Sequence, residues 1–175
     1  AFWCEVEREG TPLAEPIEND DKNQLVTFLW RGSPVTRNVL VMGSFKTDGT
    51  MLDNVMHRLA DTDVWYLTVK LPKGARFAYA LSPNDPLSAA GQPGTDQRMA
   101  TRQADPLNPH RWGCPPAEQT RFTCQSMAEL PGAVPQPWIV PNPATPAGTV
   151  ETHKIKSEIL KNEGDLSVYH PKGNE

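Results

Sequence analysis

The chain alternates apolar and polar side chains over short runs, which is the period-two pattern of strands that rest one face on a core. Gln24 to Trp30 (QLVTFLW), Asn38 to Met42 (NVLVM), Val55 to Leu59, Val64 to Leu71 (VWYLTVKL) and Arg76 to Leu81 (RFAYAL) are rich in β-branched and aromatic residues. Gly, Pro, Asn and Asp bound them, so each is predicted to be a strand. Within VWYLTVKL, Trp65, Leu67, Val69 and Leu71 share the face expected to be buried, while Val64, Tyr66, Thr68 and Lys70 share the other. Phe77, Tyr79 and Leu81 form the matching face of the next run, and the link Pro72-Lys73-Gly74-Ala75 predicts a hairpin connection.

Five strands joined by short links predict an all-β domain, a β-sandwich of immunoglobulin-like type. The pattern fades after Leu81. From Ser82 to Pro116 the chain holds seven Pro and little periodicity, and an irregular stretch of that length inside a domain is usually functional or disordered. Arg121 to Gln125 (RFTCQ) predicts one more strand, after which six Pro between Pro131 and Pro146 predict an extended linker. Glu151 to Leu160 and Asp165 to His170 then predict two strands around a turn at Lys161-Asn162-Glu163-Gly164. The expected organisation is a domain over 1–130, a Pro-rich linker over 131–150 and the start of a second domain over 151–175.

Composition narrows the function classes. With 175 residues and 38% apolar side chains, the chain has material for one core, while 18 Pro and 12 Gly disfavour long helices. A net charge of −4 argues against a nucleic-acid partner, whose phosphates are neutralised by clustered Lys and Arg. No run is apolar enough to span a membrane, so no membrane partner is expected. Cys4, Cys114 and Cys124 lack the density of a disulfide-stapled secreted domain, which predicts a reducing compartment and a cytoplasmic location, with Cys114 and Cys124 read as ordinary buried thiols.

Enzyme motifs are missing: no G-x-S-x-G, P-loop, G-x-G-x-x-G or H-E-x-x-H occurs. His57, His110, His153 and His170 have no ligand-type neighbours at metal spacing, so no metal site is expected. The irregular stretch does carry Arg98, Arg102, Arg111 and Arg121, with His110 and Trp112 among them. Guanidinium groups bond anions through a planar fork of donors and stack on aromatic rings, so this loop suits a large anionic, aromatic ligand. The competing reading pairs these arginines with the seven acids of the first twenty-five residues, as ordinary surface ion pairs. In ADPLNP, Asp105 and Asn108 are expected to bond nearby backbone amides and fix a turn.

Several segments, in order, carry a resemblance: LVTFLWRG (Leu25 to Gly32), DTDVWYLTVKLP (Asp61 to Pro72), FAYALSPNDPL (Phe77 to Leu87), ADPLNP (Ala104 to Pro109), ELPGA with PQPW (Glu129 to Trp138) and KIKSEILKN (Lys154 to Asn162). With them the chain resembles the N-terminal domain of the enterochelin (enterobactin) esterases, bacterial enzymes that hydrolyse the ester bonds of a ferric tricatecholate siderophore in the cytoplasm. The resemblance implies an early-set immunoglobulin-like sandwich that covers the substrate, followed by an α/β-hydrolase domain holding the Ser nucleophile, its His and their acidic partner. The catalytic residues are expected to lie outside these 175 residues, leaving the chain inactive alone within a parent serine esterase. It implies a ferric siderophore and the chain's own hydrolase domain as partners, and no cofactor, because iron arrives within the substrate. Arg31, Arg98, Arg102, Arg111 and Trp112 are the candidate contacts to the anionic iron centre, chosen by charge and loop position. VLVMGSF with VWYLTVKLPKG is also similar to early-set modules that precede starch-type enzymes, which gives a glycan-binding module as the alternative.

Overall fold

The computed structural model describes residues 1–43, 45, 51–88, 94–114, 124–140, 142–144 and 147–172. They form two compact units, 1–134 and 135–175. In chain order the first holds α1 (Phe2–Glu9), β1 (Leu13–Ile17), β2 (Asp20–Arg31), β3 (Val39–Gly43), a 3-10 turn (Met51–Asn54), β4 (His57–Arg58), β5 (Val64–Pro72), β6 (Arg76–Pro83), α2 (Thr95–Thr101), β7 (Arg111–Trp112) and β8 (Gln125–Glu129). The second holds a 3-10 turn (Pro137–Ile139) and a hairpin of β9 (Thr149–Ser157) and β10 (Asn162–His170).

Two antiparallel four-stranded sheets, ordered β1-β2-β5-β4 and β3-β6-β8-β7, face each other across one core. Val26, Phe28, Trp65, Leu67 and Leu71 of the first sheet meet Val39, Val41, Phe77, Tyr79, Leu81 and Ala128 of the second, and Phe45 packs among them. At the centre Phe28 meets Tyr79 edge to face, with ring centroids 5.0 Å apart. The face predicted for β5 is the inner one. Val64 on the opposite face is buried too, because α1 lies over the outside of the first sheet and packs Trp3 and Val6 with Leu29, Val64 and Tyr66. The sequence carries only a short apolar signal for that helix, the Trp3–Val6 spacing among acidic residues.

Other expectations change in the structure. Pro72-Lys73-Gly74-Ala75 is no hairpin, since β5 pairs with β2 and β4 whereas β6 pairs with β3 and β8, so the link crosses between sheets. Its amides bond to both sides, Lys73 N to Lys22 O at 2.9 Å and Gly74 N to Pro131 O at 2.9 Å. The strand expected over 121–125 begins at Gln125 and runs to Glu129, while Arg121 to Thr123 lie outside the described residues. Val55 to Leu59 reduces to the two-residue β4 and a bridge from Val55 to Leu40. Cys114 and Cys124 are joined as a disulfide, which corrects the reading of both as buried thiols; Cys4 is free and exposed.

The second unit is almost wholly exposed. Its hairpin pairs Asn162 with Ser157 through His170 with Thr149, turning at 158–161 rather than 161–164. Lys154 reaches Asp165 at 3.3 Å and Glu163 at 3.5 Å across the pair, while Ile155, Ile159, Leu160 and Leu166 face solvent. No helix among the described residues is long and apolar enough to cross a membrane.

Candidate functional site

The five candidate residues occupy three places in the first unit. Arg98 on α2 is buried, and its Nε and Nη2 each donate to the Asp85 carboxylate at 2.9 Å, with a further bond from Nη2 to Ser88 O at 2.7 Å. Burial pushes the Asp85 carboxyl up, but Arg98, the Ser82 hydroxyl and the Leu87 amide outweigh it and hold the group below its usual range. This guanidinium is committed inside the fold, a structural tie the sequence reading had assigned to ligand. Arg102, just past α2, is half-buried, and burial holds its pKa below the usual arginine value. Its neighbour Gln103 exchanges backbone bonds with Leu81 at 2.8 Å, fixing this segment against β6.

Arg31 ends β2 at the far end of the first sheet from the Pro72–Ala75 link, opposite Val64. Its Nε donates to Asp63 Oδ2 at 2.9 Å, and Trp3 Nε1 donates to Asp63 Oδ1 at 2.9 Å. The guanidinium lies 5.6 Å from the Trp3 ring centre, a cation–π contact. The Trp3 and Arg31 donors hold the Asp63 carboxyl below its usual range. Two open grooves share Thr62 and Asp63 in their walls. One, of about 600 Å³, is walled by Phe2, Trp3, Arg31, Leu59 and Val64. The other, of about 760 Å³, lies over Gly32 to Pro34, Arg58, Asp61 and Trp65. A Cβ on Gly32 would meet Trp65 Nε1 at 2.4 Å, so only glycine lets the indole edge stand against the chain there.

Arg111 and Trp112 are β7, the exposed outer strand of the second sheet, paired with Ser126 and Gln125. Arg111 Nη1 donates to the Ser126 hydroxyl at 3.3 Å, and among the described residues no carboxylate lies within ion-pairing distance of it. Arg31 and Arg98 each bond an aspartate directly; Arg111 reaches the buried Asp105 only through its charge, which pulls against the rise that burial causes there. It lines a groove of about 380 Å³ with Arg8, Leu107, Asn108 and Pro109, where Arg8 pairs with Glu9 at 3.1 Å.

The turn that delivers β7 forms as its sequence implies, with Asp105 Oδ1 accepting from Leu107 N at 2.9 Å and Asn108 Oδ1 from His110 N at 2.8 Å. Beneath it, Asp105 Oδ2 accepts the hydroxyls of Thr11 and Tyr79, both at 2.6 Å, while Asn108 Nδ2 donates to Tyr79 and to Met127 O. Burial pushes the Asp105 carboxyl above its usual range against these donors. Sequence reasoning missed Arg8, Arg58, the helix that places Trp3 and the β7 strand. Trp3 and Val6 stand one helical turn apart, a signal for α1 that was present but short, whereas a two-residue strand has no periodicity to read.

Residues 25–139 match the family described as "Enterochelin esterase, N-terminal". The chain belongs to that family. Among its relatives, the iron(III) enterobactin esterase of Yersinia enterocolitica is 29% identical over an alignment covering 100% of this chain and 55% of its own length. The iron(III) salmochelin esterase of Escherichia coli is 34% identical over 61% of this chain and 27% of its own. Of solved structures, the ferric enterobactin esterase of Salmonella typhimurium superposes with a TM-score of 0.65 at 28% identity, covering 95% of this chain and 45% of that one. The enterobactin esterase of Shigella flexneri crystallised in the presence of enterobactin gives 0.58 at 27% identity, over 94% and 43%. The chain thus spans between about a quarter and just over half of the curated relatives it matches. All five candidate residues fall inside the segment that matches the enterochelin esterase family, whereas α1, β1 and the β9–β10 hairpin fall outside it. The glycan-binding alternative gains nothing from these relatives.

Proposed function

We propose that this chain is the substrate-covering, non-catalytic N-terminal part of an esterase that hydrolyses the ester bonds of a ferric tricatecholate siderophore and so releases iron. The first unit is immunoglobulin-like in this reading: the order β1-β2-β5-β4 over β3-β6-β8 follows the A-B-E-D and C-F-G order of that fold, with β7 added at the outer edge. The second unit is the opening of an α/β-hydrolase domain, the chain's partner in catalysis, which supplies nucleophile, base and oxyanion donors. Its exposed Ile155, Ile159, Leu160 and Leu166 fit a hairpin made to be covered by that domain. No cofactor of its own is needed, since the metal enters as part of the substrate.

The reading of the contact surface rests on one observation, the guanidinium of Arg111, without a carboxylate partner among the described residues, beside the exposed indole of Trp112. An iron tris-catecholate centre is anionic and edged with aromatic rings, so an exposed guanidinium that no carboxylate bonds directly, beside an exposed indole, is its physical complement. Arg31, already neutralised by Asp63, contributes less, and Arg98 contributes only through the fold. A cytoplasmic location goes with the family's substrate, and the disulfide is the one feature that stands against it.

The test is quenching of tryptophan fluorescence by the ferric siderophore in the full-length esterase. Arg111→Ala is expected to weaken binding about tenfold, the loss of one charge-assisted contact. Arg31→Ala is expected to change it by less than about threefold. Equal, unchanged affinity in Arg111→Ala and Trp112→Ala would sink the assignment.

A further inference from the structure

The strand that carries Arg111 and Trp112 is held by very little. It has two residues and, among the described residues, stands at the end of its sheet and pairs only with Ser126 and Gln125 of β8. On its N-terminal side it is pinned by Met127 N to His110 O at 3.0 Å and by the Asn108 bonds. On its C-terminal side stands the Cys114–Cys124 disulfide, ten residues apart in sequence and 4.5 Å apart at Cα. The ladder runs Arg111 opposite Ser126 and Trp112 opposite Gln125, so the next pair in register would be Gly113 opposite Cys124. Gly113 instead takes φ 66°, a left-handed conformation that glycine adopts without strain, and the chain gains one residue there. Cys114 therefore stands where a cross-strand partner of Cys124 belongs, and the disulfide continues the ladder as a third rung.

We propose that Cys114–Cys124 is a redox-sensitive staple that decides whether β7, and with it Arg111 and Trp112, is ordered against β8. A hairpin held by two pairs and no cross-link is marginal in water, so the third rung is what closes it. Both cysteines are half-buried rather than sealed, and the neighbouring Trp112 is 58% exposed, so a reductant can approach. The chemistry is thiol–disulfide exchange with a dithiol. One dithiol sulfur, as thiolate, attacks one sulfur of the pair and forms a mixed disulfide. The second dithiol sulfur then displaces it and closes the reductant's own disulfide. Two electrons pass to the pair, and the two protons of the dithiol end on the Cys114 and Cys124 thiols. Cys4, exposed on α1 and bonded to nothing, takes no part.

The ordering of β7 stands by itself; its consequence for ligand rests on the function proposed above. Thiol counting and amide hydrogen exchange on the whole protein test the two separately. Of the chain's 3 cysteines, one is expected to react in the air-oxidised protein and all three after dithiothreitol. Exchange of the His110, Arg111 and Trp112 amides is expected to rise at least roughly tenfold on reduction while β6 stays unchanged. A Cys114→Ser, Cys124→Ser double variant should exchange like the reduced protein whether or not dithiothreitol is present; should it fail to fold, the wild-type pair of measurements still decides. Three reactive thiols in the oxidised protein, or equal exchange of those three amides in both states, overturns the proposal. If exchange responds but siderophore affinity does not, the staple stands and the Arg111–Trp112 contact falls.

Discussion

The Tyr79 hydroxyl lies 2.6 Å from Oδ2 of Asp105, a residue 26 positions later in the chain, and both side chains are sealed from solvent. That bond joins the centre of β6 to the turn that launches β7, and the Thr11 hydroxyl on the same oxygen adds the segment between α1 and β1. Three stretches of chain distant in sequence thus converge on one carboxylate. A buried carboxylate with three donors is a tie, because each donor left without it would be an orphan in a dry core.

Tyr79→Phe keeps the ring and removes the hydroxyl, which takes one donor from Asp105 and the acceptor of Asn108. The loss is expected to be about 1–3 kcal/mol, the range for leaving buried polar groups unpaired. Urea unfolding should show a lower midpoint at unchanged slope. A midpoint equal to wild type would mean that the hydroxyl is not part of the tie.

The same carboxyl predicts a pH dependence. Burial raises the folded-state value of Asp105, so the folded chain holds this proton more tightly than the unfolded chain does. Its contribution is therefore complete below the unfolded value, near about pH 4, and is lost as pH rises through the elevated folded value. The stability of wild type minus that of Asp105→Asn is expected to fall as pH increases over this window. Asp85 runs the other way: its folded value is lowered, so its contribution is present above the unfolded value and is lost as pH falls through the folded one. Unfolding free energies measured at each pH check both signs, and a difference that rose with pH for Asp105→Asn would reverse the reading.

Arg98 and Arg111 should separate stability from binding. Arg98→Ala strands the buried Asp85 carboxylate and is expected to cost about 3–5 kcal/mol, whereas Arg111→Ala on the exposed outer strand should stay within about 1 kcal/mol. Thermal and urea unfolding of the two variants decide this, and comparable losses in both would place Arg111 in the framework after all.

The β9–β10 hairpin should be the loosest ordered part of these 175 residues on their own. A two-stranded hairpin that buries almost nothing is marginal, and its cross-strand Lys154–Asp165 and Lys154–Glu163 pairs are exposed and weak. Amide exchange over 149–157 is expected to be orders of magnitude faster than over β2 and β5. Protection equal to the core strands would mean that the hairpin is held by contacts of its own.

The core strands were legible because each carries its own alternation: Trp65, Leu67 and Leu71 announce an inner face in the sequence, and the fold uses that face. The sheet exchange at Pro72–Ala75 was not, since a short Gly-containing link looks the same whether its two strands pair with each other or part company. The Arg98 tie was hidden for a related reason, as its partner Asp85 lies 13 residues away, a separation that no local pattern bridges. The arginines looked like one cluster along the chain, but the folded chain deals them to a helix, a strand end and a sheet edge. Arg111 and Trp112 stay together because they are adjacent in sequence, and Arg98 and Arg102 because one helical turn joins them.

The helix over Leu29 and Val64 bears on how this domain can be cut. The segment matching the family's N-terminal description begins at residue 25, partway along β2, yet α1 and β1 lie before that point and close the outside and the edge of the first sheet. A chain begun at Leu25 would bare Leu29, Val64 and Tyr66 together and leave the backbone of β2 unpaired where β1 had been, a sticky template for other chains. The segment that carries the family match is therefore shorter than what can stand by itself in water, and the two dozen residues before it belong to the second measure.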